Sequence, residues 1–301
     1  MTLTLRTPAK INLGLWITGK RPDGYHELET LFQMVSLYDT LRFENAPDGR
    51  IQMTCSRADL PAGEDNLMVR AARLLRETAG RPDLGCRMHL DKVIPFGAGL
   101  GGGSGNAAGT LMALNRLWDL RQDRATLMEL GARLGSDVSF FLCAPAAIGR
   151  GRGERLTPLP PCRKFWVLLL SPNCFIATAE VYKRLNLKLT SRQNHISILT
   201  DFFSQSDIAG LGAHLHNDLE PIVLEGFKEV REAWSHLQAL DAQGVLVSGS
   251  GSAVFGVFSD FNQAQRAHAQ CQTGVWDSFL TETVSSFSEF LPESLLTYPE
   301  G

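Results

Sequence analysis

The chain has 301 residues, 44 % of them hydrophobic and 20 % charged, with a formal net charge of −3. This is a globular composition, long enough for two ordinary domains, and it lacks the basic stripe that nucleic acid would call for. No apolar run is long enough to span a bilayer, and MTLTLRTPAKINLGLW has no signal-peptide pattern, so a cytoplasmic location is expected, with no sign of a transit segment.

Apolar residues at Leu3 and Leu5, then at Ile11, Leu13, Leu15 and Ile17, recur with period two and predict strands. GKRPDGYHEL (19–28) is turn-rich, and LRFENAPDGRIQMTC predicts two strands around Pro47-Asp48-Gly49. Asp65 or Asn66 is placed to cap a helix through LMVRAARLLRET. CRMHLDKVIP alternates again, with Met88, Leu90 and Val93 as its apolar residues and Pro95 as its end. After the tract GAGLGGGSGNAAG (97–109), Ala107, Leu111, Leu114 and Trp118 mark one face of a helix. Asp123 caps a further helix through ATLMELGARL, which Gly135 stops. GRGRGERLTPLPP (149–161) is the candidate boundary between domains 1–158 and 159–301. Beyond it, FWVLLLSP reads as a buried strand, 178–185 and 219–240 as helical, and VLVSGSGSAVFGVF as strand-like. A helix through NQAQRAHAQC, a last strand near Val275 and a loosely held surface tail complete the chain. Strands and helices in both halves predict an α+β or α/β class. The six cysteines never form CxxC and read as free thiols in a reducing compartment.

Seven of the thirteen residues in the tract are glycine. Glycine inside a helix costs roughly 1 kcal/mol relative to alanine, so the density needs a reason. A flexible linker is a poor fit between a strand and a strong helix. Gly97-x-Gly99-x-x-Gly102 fits the dinucleotide pattern GxGxxG, but the acidic partner would be Asp119, at the end of a helix instead of a second strand. The third reading is a phosphate cradle, in which backbone N–H groups and the following helix N-terminus face an oligophosphate. The tract has no lysine and is no Walker A motif. Gly14-LWIT-Gly19-Lys20 comes near one, but Arg21 stands where Ser or Thr would ligate magnesium.

Pro95-FGAG-Leu100-Gly-Gly-Gly-Ser104 resembles the phosphate loop of the GHMP kinase superfamily. The superfamily's N-terminal lysine segment and late glycine loop have counterparts in PAKINLGL (8–15) and VSGSGSAVFG (247–256). More narrowly, ITGKRPDGYHEL, EDNLMVRAARLL, IPFGAGLGGGSGNAA, LGSDVSFFL, GRGERLTPL and NDLEP resemble the family of 4-diphosphocytidyl-2-C-methyl-D-erythritol kinases. The resemblance implies a two-domain α+β fold, with an N-terminal ribosomal-protein-S5-like domain and a C-terminal ferredoxin-like domain. It implies transfer of the ATP γ-phosphate, with Mg, to the 2-hydroxyl of that alcohol in the non-mevalonate route to isoprenoid precursors. It implies a monomer or weak homodimer, with no nucleic acid or membrane partner. Two positions depart from the family pattern: Gly105 replaces a second serine, with one polar contact near the phosphates at stake, and Ser139 replaces proline.

The resemblance assigns roles residue by residue. Pro95, Gly97, Gly99, Leu100, Gly101, Gly102, Gly103, Ser104 and Asn106 are expected to bind ATP, with Ser104 near magnesium or a phosphate oxygen. Asp137, which by position alone reads as a helix cap, is expected to be the general base. Lys10, otherwise a solvated lysine, is expected beside Asp137 and the attacking hydroxyl, whose pKa its ammonium lowers. Asn12 shares that strand face and is a candidate substrate contact. Tyr25 and His26, otherwise loop anchors, are expected to stack on and hydrogen-bond the cytosine. Tyr182 is the candidate for the opposite ring face, against a plain core role, and Thr178 either caps its helix or touches substrate. Gly249 and Gly251 approach the substrate diphosphate or make a tight turn.

Three function classes follow: this kinase; another superfamily kinase, for homoserine or a mevalonate-like alcohol; and a nicotinamide-dependent oxidoreductase or inactive nucleotide-binding module built on GxGxxG. GYHE and NDLE favour the first.

Overall fold

The computed structural model describes residues 2–185 and 195–296. Elements run in the order β1 (Thr2–Lys20), β2 (His26–Asn45), β3 (Ile51–Cys55), α1 (Leu67–Thr78), β4 (Cys86–Asp91), α2 (Gly102–Leu117), α3 (Arg124–Leu134), α4 (Phe140–Cys143), β5 (Ala146–Gly151) and β6 (Arg155–Pro158). They continue with β7 (Trp166–Ser171), α5 (Thr178–Arg184), α6 (His195–Gln205), α7 (Ile208–Ala213), β8 (His216–Asn217), α8 (Glu220–Gly226), α9 (Lys228–Gln238), β9 (Gly244–Val247), β10 (Val254–Phe258), α10 (Phe261–Cys271) and β11 (Asp277–Glu282).

The alternating start of the chain folds back on itself as one long antiparallel pair, β1 with β2, interrupted by register shifts at Pro8/Ala9, Asn12/Gly14 and Ile17/Gly19. Around it forms a seven-stranded sheet in the order β3-β4-β2-β1-β8, with β5 on β2 and β6 on β5. A four-stranded antiparallel sheet has the order β11-β7-β10-β9. The residues of β7 explain why its sequence is apolar without a break. Val167 and Leu169 pack towards β1 and β2, whereas Leu168 and Leu170 pack towards α8, α9 and α10. Both faces of the strand are buried, so alternation with polar residues is lost.

Asn66 is the cap of α1, its side chain accepting from Met68 N at 2.9 Å, and Asp123 caps α3 by accepting from Thr126 N at 2.7 Å. Each supplies one acceptor to N–H groups that the first helical turn leaves unpaired. Helix α2 is buried on nearly every face, and not only along the stripe through Leu111 and Leu114. It packs closely on β1 because its residues there are small: a Cβ on Gly109 would meet Thr7 at 2.6 Å, and one on Gly105 would meet Pro8 O at 3.1 Å. Gly105 therefore serves close contact of the helix with the strand and with the Phe141 ring. Ser139, the other departure, is buried and donates to Met128 O at 2.7 Å.

Several expectations from sequence are corrected. The two strands expected around Pro47-Asp48-Gly49 are present as β2 and β3, but they are not neighbours: β3 runs parallel to β4, which lies between them. β4 ends at Asp91, leaving Val93 52 % exposed beyond the sheet. The last strand expected near Val275 is β11, which begins two residues later and leaves Val275 itself exposed. The segment 219–240 is two helices, broken at Phe227, whose extended backbone (φ −131°, ψ 104°) cannot continue a helix. The tail is not loose as far as residue 296: Phe290, Leu291 and Leu295 are buried in the core around α2. The stretch 149–161 holds the β5–β6 hairpin of the first sheet, and the chain passes to the second sheet after Pro158. All six cysteines are free, with Cys86, Cys143 and Cys271 buried. No helix among the described residues is long and apolar enough to cross a membrane.

Candidate active site

Lys10 lies on β1, where burial in the sheet leaves it 4 % exposed. Its Nζ is 3.5 Å from Asp137 Oδ2 and donates to Asn12 Oδ1 at 2.7 Å. The Asn12 amide in turn donates to Thr30 Oγ1 at 2.7 Å, and Thr30 donates to Gly14 O at 2.7 Å. Asn12 thus bonds within the protein through both its oxygen and its nitrogen and holds the lysine, while it also lines the cleft. The Phe32 ring, 5.5 Å from Nζ, adds a cation–π contact beneath the ammonium. Asp137 is no cap: Ser139 occupies the cap position of α4, and Asp137 reaches the cleft from the preceding turn, 31 % exposed.

The glycine tract crosses directly over Lys10. Lys10 N donates to Leu100 O at 2.9 Å, and a Cβ on Gly101 would meet Lys10 Cγ at 2.8 Å. Gly99 has φ 77°, and a Cβ there would meet Ser248 O at 2.0 Å, where the late glycine loop presses against the first. Ser248 Oγ donates to Gly99 O at 3.0 Å and Ala253 N to Ala98 O at 3.0 Å, so the loops are stitched together. Gly102, Gly103 and Ser104 form the first turn of α2, whose N–H groups are those a helix start leaves unpaired. Ser104, half-buried there, has no hydrogen bond through its hydroxyl among the described residues. Pro95 and Gly97 lie in the loop leading in, with Leu100 buried beneath it. Asn106 faces away: it accepts from Thr7 Oγ1 at 2.7 Å and donates to Asp39 Oδ2 at 3.0 Å. It braces α2 from behind, and its side chain is not turned to a phosphate.

A cleft of about 890 Å³ opens from this centre. Lys10, Asn12, Gly99, Gly101, Asp137 and Gly249 line it together with Tyr25, His26, Thr178 and Tyr182. Thr178 does not cap α5, whose cap position is Ala177; its hydroxyl meets Ser250 Oγ at 2.8 Å. Tyr182 stacks on His26 with ring centres 5.1 Å apart, and burial pushes its hydroxyl up to about 12. Burial, with Lys20 nearby, lowers the His26 pKa, which favours the neutral ring. Tyr25 is 55 % exposed, its ring under the Arg152 guanidinium at 4.9 Å. Gly249 comes close to the centre, where a Cβ would lie 3.4 Å from Asn12 Oδ1. Gly251 instead turns towards Ile176, Val223 and Val247 and belongs to the packing behind the loop.

Two supporting sets escaped the sequence reading. Asp39, fully buried, accepts from Val93 N at 2.7 Å and Ile94 N at 2.8 Å and pairs with Lys92 Nζ at 2.9 Å. Lys92, whose pKa burial lowers, also donates to Ile94 O, and together they anchor the segment that enters the glycine tract. Asn217 donates to Val247 O at 2.9 Å and Gly249 O at 2.7 Å, while Glu220 accepts from Val247 N at 2.8 Å. The NDLE segment therefore holds the late loop. Its spacing was visible in sequence, but nothing local pointed to a partner some thirty residues on. Asp39 gave no signal beyond being a carboxylate in a strand.

A two-sheet α+β fold with a glycine loop over a lysine–aspartate pair defines a class, the GHMP kinases. The families described as GHMP kinases N terminal domain and GHMP kinases C terminal match residues 66–144 and 199–275. A 4-diphosphocytidyl-2-C-methyl-D-erythritol kinase of Pelotomaculum thermopropionicum is 42 % identical over 90 % of this chain and 94 % of its own length. One from Syntrophus aciditrophicus is 42 % identical over 94 % of this chain and 99 % of its own. A crystal structure of 4-(cytidine 5'-diphospho)-2C-methyl-D-erythritol kinase is 36 % identical, covers 94 % of this chain and all of its own, and superposes with a TM-score of 0.81. A homoserine kinase from Cytophaga hutchinsonii shares the fold at 18 % identity, with a TM-score of 0.74. The chain belongs to the 4-diphosphocytidyl-2-C-methyl-D-erythritol kinase family.

Proposed function

We propose that this chain transfers the γ-phosphoryl group of ATP to the 2-hydroxyl of 4-diphosphocytidyl-2-C-methyl-D-erythritol, in the non-mevalonate route to isoprenoid precursors. The observation that carries this is the Lys10–Asp137 pair, 3.5 Å apart, in a cleft that Tyr25, His26 and Tyr182 also line. Phosphoryl transfer asks a protein mainly for positioning and charge stabilisation. Asp137 accepts the hydroxyl proton as the oxygen bonds to the γ-phosphorus and the bond to the β-phosphate oxygen breaks, releasing ADP. Lys10, fixed by Asn12, stabilises negative charge on the attacking oxygen. The N–H groups of Gly102 to Ser104 and the α2 N-terminus face the ATP phosphates.

No cluster of His, Cys, Asp or Glu among the described residues forms a metal cage, so magnesium fits as a partner of the ATP phosphates. Ser104, its hydroxyl unused, is the residue that would reach it, and the ion would spread charge over the phosphate oxygens. The domain division at 158/159 and a cytoplasmic monomer or weak homodimer belong to the same proposal. Homoserine has no base, and the aromatic lining of the cleft would then have no occupant. Parallel thermal-shift titrations test the reading: ATP–Mg and CDP should each raise the melting temperature, and NAD should not. A shift with NAD alone would overturn it.

A further inference from the structure

Arg152 lines the same cleft and has no part in the chemistry described above. It stands in the turn of the β5–β6 hairpin, where its N–H donates to the Glu154 carboxylate at 2.6 Å. Its neighbours on the hairpin are neutralised: Arg150 pairs with Glu29 at 2.8 Å, and Arg155 pairs with Glu27. Among the described residues the Arg152 guanidinium has no such pair. Its carbon lies 4.9 Å from the centre of the Tyr25 ring, a cation–π contact. The cleft around it is cationic among the described residues, where Asp137 is the single lining carboxylate against Lys10, Lys20, Arg152 and Lys183.

A guanidinium lying on an aromatic face spends only its π surface. No carboxylate among the described residues lies within ion-pair distance of its N–H donors, the nearest influence being the charge of Asp23, and their fork matches phosphate oxygens. The turn that fixes its backbone and the ring that supports its head also reduce the freedom it would lose on binding. Lys20 and Lys183, exposed on flexible stems, lack both supports.

We propose that Arg152 sets the preference for a diphosphate-bearing cytidyl substrate, donating from the guanidinium edge to the substrate's phosphate oxygens while its face rests on Tyr25. The proposal rests on the cytidyl reading of the cleft. Calorimetric titration with cytidine and with CDP, ADP being present in excess to fill the ATP site, separates the two. Arg152→Ala should weaken CDP by at least about tenfold, the scale of a lost charge-assisted hydrogen bond, and cytidine by less than about twofold. Arg152→Lys should recover part of the CDP loss, and KM for the diphosphocytidyl alcohol should rise in step with the CDP Kd while KM for ATP stays put. Equal losses on cytidine and CDP would mean that Arg152 merely props Tyr25, and an unchanged CDP affinity would remove it from recognition; either overturns the proposal with the cytidyl reading intact. A wild-type protein that binds neither compound overturns that reading, and the proposal with it.

Discussion

Gly101→Ala is a small change aimed at Lys10, the lysine proposed to stabilise the attacking oxygen. Gly101 sits at φ 68° and ψ 13°, directly before α2. An added methyl would stand 2.8 Å from Lys10 Cγ, 3.0 Å from Phe141 Cζ and 3.2 Å from Lys10 Cε. Carbon atoms pack at about 3.5–4.0 Å, so the lysine stem must retreat by something on the order of 1 Å. It has little room, being buried, with Nζ tied to Asn12 at 2.7 Å. A misplacement of about 1 Å costs on the order of 100-fold in rate, and kcat should fall by about that factor. The left-handed backbone adds about 1–2 kcal/mol of strain, so stability should drop as well. Coupled ADP release gives kcat and a denaturant melt gives stability. Gly103→Ala, where the nearest atom would be Leu67 Cδ1 at 3.7 Å, should lose less on both counts. A Gly101→Ala enzyme within about threefold of wild-type kcat, roughly 0.65 kcal/mol, would refute the close approach of the glycine tract to Lys10.

Asp137→Asn should keep the fold and lose about 10²–10⁴-fold in kcat, with little change in ATP affinity, as read from steady-state kinetics. Tyr25→Ala should raise KM for the cytidyl substrate and leave KM for ATP nearly unchanged; an effect on ATP alone would point to a different alcohol. Asp39→Asn strands a buried Lys92 ammonium and should destabilise the protein by about 3–5 kcal/mol in chemical denaturation, whereas a loss under about 1 kcal/mol would contradict the anchoring role. The His26 pKa lies below its ordinary 6.5, so the ring is neutral at pH 7 and gains its proton only as pH falls past that lowered value. KM for the cytidyl substrate should therefore be flat from about pH 7 to 8 and rise only below about pH 6.5; a rise centred above pH 7 would exclude His26 as its source.

The local signals were legible where the chain's own neighbours decide the outcome. Asn66 and Asp123 cap helices because acceptor and orphan N–H lie two or three residues apart, a distance sequence can read. The period-two run of β1 and the glycine tract before α2 were legible for the same reason. Strand order was not: β4 inserts between β2 and β3 through contacts across the sheet, and a turn between two strands does not reveal whether they pair. Within the cleft, Lys10, Asp137, Tyr25 and His26 were singled out through resemblance, since each has a bland local alternative, and the structure places all four in its lining. Which way Asn12, Asn106 and Gly251 face was hidden, because adjacency to a functional residue does not reveal a side chain's partner. Asn12 turned out to hold Lys10, Asn106 to brace α2 against Thr7 and Asp39, and Gly251 to face the core.

Phosphorus NMR of a single incubation tests the central proposal most directly. The protein is mixed with ATP, magnesium and 4-diphosphocytidyl-2-C-methyl-D-erythritol, with homoserine and mevalonate in parallel tubes. The expected result is ADP together with a new phosphomonoester resonance on the tertiary 2-hydroxyl in the first tube only, at a rate that Asp137→Asn lowers by about 10²–10⁴-fold. ADP formation with homoserine or mevalonate and none with the diphosphocytidyl alcohol would contradict it.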